Sequence, residues 1–126
     1  MKKGIQLVEK DIQKYQKEID TIEITKKDDI LNRSILKINI LLQNPDMDQF
    51  QIVLVQEINI LYNLLKNNPN LETSIQQKIL FALEYFLQGD DDIPDEIPNV
   101  GFLDDLAVVE WIIQEIKTQY SQYFQA

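Results

Sequence analysis

Between residues 89 and 105 the chain reads GDDDIPDEIPNVGFLDD, a stretch with seven carboxylates, two prolines and two glycines. Carboxylates at this density can serve several chemistries. Asp91, Asp95, Asp104 and Asp105 could converge on a divalent cation, and ligation by oxygen alone would suit Mg²⁺, Ca²⁺ or Mn²⁺. The spacing is not that of an EF-hand, because Asp95 occupies the sixth position counted from Asp90, where that loop requires glycine. Clustered acids can also raise one another's pKa and act as an acid and base pair, but that chemistry needs a cleft and further polar groups. The same residues also have local work open to them. Asp91 and Asp95 could accept hydrogen bonds from loop amides in Asx-type turns, and Asp104 with Asp105 could cap a following helix.

Composition narrows these alternatives. The chain has 126 residues with no cysteine and no histidine, which removes thiolate nucleophiles, imidazole bases, disulfides and the usual zinc ligands together. A catalytic role is therefore not expected. The net charge of −9 repels phosphate backbones and anionic lipid, so a nucleic-acid ligand is not expected, whereas a basic protein partner or a cation is compatible with it. Apolar runs such as Ile52–Val55 are far shorter than the roughly 20 residues of a membrane span. The first fifteen residues contain no secretory apolar core, so a cytoplasmic location is expected.

The elements that must position the acids read as helices throughout. Ile5, Val8, Ile12, Tyr15, Ile19 and Ile22 alternate spacings of three and four, giving a narrow seam that could lie along a bundle or pair with a second copy as a homo-oligomeric scaffold. TKKD at 25–28 resembles a capping box opening a second helix, with Ile30, Leu31, Ile35, Ile38, Leu41 and Leu42 inward. Pro45 stops it. A third helix from about Met47 to Leu65 is the most apolar and is expected to be the most central. Asn70 is the expected N-cap of a fourth helix carrying Ile75, Ile79, Leu80, Leu83, Phe86 and Leu87, which Gly89 would end at C′. A fifth runs from about Leu103 to Tyr123, with Leu106, Val109, Ile112, Ile113, Ile116 and Tyr120 inward and Trp111 at an edge. No strand-like alternation or long linker interrupts this pattern. The expected architecture is all-α, a single-domain bundle of about five helices over residues 1–126, with an ordered Pro/Asp-rich crossover before the last helix.

Within residues 82–113, the positions Tyr85, Asp91, Ile93, Pro94, Asp95, Ile97, Pro98, Gly101, Asp104 and Asp105 resemble the signature of the YkvA-like bacterial family. Gly89 stands where that family has proline, and Asp92 where it has an apolar residue. The resemblance implies a helical hairpin around an ordered loop and attaches no reaction to it; the first three helices lie outside it. Pro94 and Pro98 fix φ and bias Ile93 and Ile97 toward extended backbone, so the crossover should be stiff, with Ile93, Ile97 and Phe102 plugging the open end of the bundle. Gly101 would supply a positive φ or a close approach. Asp90, Asp92 and Glu96 fall outside the family positions. Their charge suits a docking surface for a basic protein partner, a role like that of an immunity or antitoxin-like factor.

Overall fold

A computed structural model describes the backbone of residues 9–92 and 100–119 and the side chains of residues 11–87 and 106–118. It contains five α-helices, α1 (Glu9–Asp20), α2 (Lys27–Leu42), α3 (Gln49–Asn67), α4 (Thr73–Asp92) and α5 (Val100–Gln119), with a 3-10 turn at Ile24–Lys26. There is no strand among the described residues. The all-α bundle is thus as the periodicity requires, and the expected inward positions of α4 and α5 that are described are buried or half-buried. Leu42 is the exception in α2, being 57 % exposed at its last residue.

Helix α4, not α3, is the centre. It packs against α1, α2, α3 and α5, because Ile75, Lys78, Ile79, Leu80, Phe81, Ala82, Leu83 and Phe86 bury nearly its whole circumference. Three contacts fix the directions of its neighbours. The Gln77 side-chain amide donates to the carbonyls of Ile22 (3.0 Å) and Asp20 (3.4 Å), while Tyr15 packs beside Phe81 and Tyr85, so α1 runs antiparallel to α4. Ile22, shortly before α2, is held by Gln77, and Lys37 further along donates to the Phe86 carbonyl, so α2 runs in the same direction as α4. Lys78 pairs with Glu115 at 4.0 Å, and Tyr15 also touches Trp111, so α5 returns antiparallel.

The helix ends depart from expectation in instructive ways. Thr25 lies inside the 3-10 turn; α2 is preceded by Lys26, which makes no side-chain cap, and Asp28 and Asp29 in the first turn favour the macrodipole instead. Asn70 is two residues too early, since the Gln76 N–H donates to the Glu72 carbonyl and α4 begins at Thr73. The strongest cap is one the sequence reading passed over: Asp48 accepts from the Gln51 N–H at 2.9 Å while the Gln51 side chain accepts from the Asp48 N–H at 2.9 Å, a reciprocal capping box. Asn44 prepares it by accepting from the Asp46 N–H, an Asx-type turn around Pro45. Ser34, fully buried on α2, has a hydroxyl with no hydrogen-bond partner.

Candidate functional site

Helix α4 continues through Gly89 to Asp92, so Gly89 is not a C′ glycine and Asp90, Asp91 and Asp92 form the last helical turn. Pro94 is the next residue in the chain that disfavours helix before it, so α4 has no sequence signal strong enough to stop it at Gly89. Asp91 is therefore helical in its backbone. At the other side, α5 begins at Val100, three residues earlier than expected, because Gly101 is helical and needs no positive φ. Asp104 and Asp105 are then the fifth and sixth residues of α5 and cannot cap its free N–H groups. Asp95 and Glu96, with Ile93, Ile97 and both prolines, lie in residues 93–99, outside the described residues, as do Ile5, Val8 and the tail from Tyr120.

The fold nevertheless brings the acids of three segments to one end of the bundle. With Lys78 beside Glu115, the antiparallel register sets Asp104 and Asp105 within about a turn of Gly89 and Asp90. Because α2 runs in the same direction as α4, the turn after it, carrying Asp46 and Asp48, lies toward the same end. The segments 46–48 and 90–105 together hold nine acids and no lysine or arginine. The rest of the chain has twelve acids matched by its twelve lysines and arginines, so these two segments account for the whole net charge of −9. The start of α1 reaches this end with mixed charge, Glu9, Lys10 and Asp11. Lys37 is the described cation nearest to it from α2, with its ammonium 4.4 Å from the centre of the Phe86 ring and bonded to the Phe86 carbonyl.

Two further features flank the α4–α5 hairpin. Tyr15 of α1 inserts among Phe81, Tyr85 and Trp111, with ring centres 5.3, 5.8 and 6.2 Å away, and its hydroxyl lies 3.4 Å from that of Tyr85. Below it, a cleft of about 310 Å³ is walled by Glu18, Thr21 and Ile22 at the end of α1, Glu23 and Lys26 of the 3-10 turn, and Phe81 and Glu84 of α4. Three carboxylates against one ammonium make it a second, weaker acidic locus. Sequence reasoning found neither, because both depend on which face of α4 the first helix covers.

Fold and site together define a small all-α bundle with an acidic pole on its α4–α5 hairpin. Residues 78–111, from the buried Lys78 to Trp111, match a family described as a protein of unknown function, DUF1232. The match covers about a quarter of the chain, and the YkvA-like resemblance over residues 82–113 is consistent with it. No curated protein and no solved structure matches the chain. Among the described residues no helix is long and apolar enough to cross a membrane.

Proposed function

We propose that the protein is a non-enzymatic interaction factor of the cytoplasm that docks a basic protein partner on its acidic pole, in the manner of an immunity or antitoxin-like protein. One observation carries this reading: residues 46–48 and 90–105 hold the whole charge excess of the chain, and five of those nine acids, Asp90, Asp91, Asp92, Asp104 and Asp105, stand on the adjoining ends of α4 and α5. Charge concentrated in this way steers an oppositely charged partner and fixes its orientation. Asp90 and Asp92 in the last turn of α4, together with Glu96, are the docking residues. The immobilised protein should retain a basic protein from a lysate at low salt and release part of it at moderate salt, while Asp90→Asn/Asp92→Asn/Glu96→Gln retains little in either. Failure of the native chain to retain any basic protein under both conditions removes the reading.

A second reading is favoured by the corrected helix limits. With Asp104 and Asp105 too deep in α5 to cap it and Asp91 inside α4, these three residues stand on neighbouring helix ends joined by the segment that contains Asp95. That arrangement suits a hard divalent cation held by oxygens. Calorimetric titration with Mg²⁺, Ca²⁺ and Mn²⁺ against the native chain and Asp95→Asn separates the two readings. Binding heat that Asp95→Asn abolishes supports the cation; no heat with any of the three leaves the docking role alone.

A further inference from the structure

The opposite character of surface lies on the α2–α3 hairpin. Leu36, Ile40 and Leu42 of α2 are 62, 66 and 57 % exposed, and Ile52 and Ile60 of α3 are 42 and 46 % exposed; these are the exposed large hydrophobic residues among the described ones. Single exposed apolar residues are ordinary, but here they share two adjacent helices, and most of the exposed positions beside them are uncharged. The other exposed position of α2 beyond Arg33 is Asn39, with Gln43 just past its end, and those of α3 up to Asn63 are Gln49, Gln56, Asn59 and Asn63. In a chain with 26 % charged residues, such a face has the composition of an interface core, where charge is depleted.

We infer that this face binds a second copy of the same chain in an antiparallel two-fold dimer. Side-chain amides carry both donor and acceptor, so Asn39, Gln56 and Asn59 can pair with the same surface on another copy, which carboxylates or ammonium groups cannot do. Helices α2 and α3 are antiparallel, as shown by the cleft that Lys27, Asp28, Leu31 and Asn32 share with Tyr62 and Lys66. Ile40 therefore lies level with Ile52, and Leu36 with Gln56. A two-fold axis lying in the interface, perpendicular to the helices and level with Gln56, brings the exposed Asp46 of each copy to Lys66 of the other, whose ammonium sits 5.6 Å over its own Tyr62 ring. The same operation sends the two acidic poles to opposite ends of the dimer, so their repulsion is minimal. A parallel arrangement would set them side by side. From Gln49 to Asn63 the face is about 21 Å long and about two helices wide, roughly 400 Å² in projection and more as accessible surface. Two copies thus approach the ~1,000 Å² at which a specific interface begins, which corresponds to a weak dimer with dissociation constant on the order of 10–100 µM.

Sedimentation equilibrium on the full chain from about 5 to about 500 µM should show this association. Ile40→Glu/Ile60→Glu should weaken it roughly tenfold or more; both residues are exposed, so the fold survives. Lys66→Glu should weaken it, and adding Asp46→Lys should restore it. The chain has no cysteine, which allows a geometric check. Gln56→Cys lies near the axis and should form an intermolecular disulfide under mild oxidation. Asn63→Cys, with about 21 Å to its own counterpart, lies beyond the ~7 Å reach of a disulfide and should not. A monomer at every concentration overturns the inference, as do an association unchanged by the Ile40/Ile60 variant and equal cross-linking at both cysteine positions.

Discussion

A glycine inside a helix gives up more backbone freedom than alanine and offers no side chain in return, a cost of about 0.5–1 kcal/mol. Gly89 occupies such a position, three residues before the end of α4. Gly89→Ala should therefore raise stability by about 0.5–1 kcal/mol in urea unfolding. Had Gly89 been a left-handed C′ residue, the same change would destabilise by a similar amount, so the sign of the shift decides the helix limit. The sequence offered this answer in part. Glycine followed by acids resembles a helix stop, but proline is the stronger signal, and the helix runs on through Gly89 to Asp92. The same overweighting of Gly101 set the start of α5 three residues late and made caps of Asp104 and Asp105. Asp48 and Gln51 show the converse, a D-x-x-Q capping box legible in the sequence three residues after Pro45.

At the scale of elements, α1 is held on α4 by three devices: the Tyr15 ring among Phe81, Tyr85 and Trp111, the buried Ile19, and the Gln77 amide capturing two carbonyls at the C-terminal end of α1. The chain's single tryptophan is thus a built-in reporter of this docking. Tyr15→Ala should cost about 2–3 kcal/mol, below the full cost of a wholly buried aromatic, and should shift Trp111 emission to the red. Tyr15→Phe removes only the 3.4 Å hydroxyl contact with Tyr85 and should leave the emission unchanged. Unaltered Trp111 emission in Tyr15→Ala would show that α1 is held elsewhere. Periodicity made the seam of α1 visible, but periodicity specifies a face and not what covers it. Of its described residues, Tyr15, Ile19 and Ile22 pack on this chain's own core. The clue to the answer lay in α4, whose apolar residues surround the helix and therefore require neighbours on every side.

At the scale of the whole molecule, the acidic pole works against the fold that carries it. Asp90, Asp91 and Asp92 lie in the last turn of α4, where the macrodipole is already negative and each acid costs about 0.3–1 kcal/mol at low ionic strength. Asp104 and Asp105 arrive within about a turn of them and add like charge. Asp90→Asn and Asp92→Asn should each stabilise the protein by about 0.3–1 kcal/mol at low salt, and the gain should shrink in ~1 M salt as screening takes over. Thermal unfolding at the two ionic strengths measures this directly. Residues that lower stability without serving the helix they occupy are those expected where binding sets the choice of side chain. The docking reading therefore requires two effects in one variant: higher stability and loss of the basic partner. If neutralisation instead destabilises the chain at low salt, the acids serve the fold through contacts of their own, and their concentration at one pole carries no functional meaning.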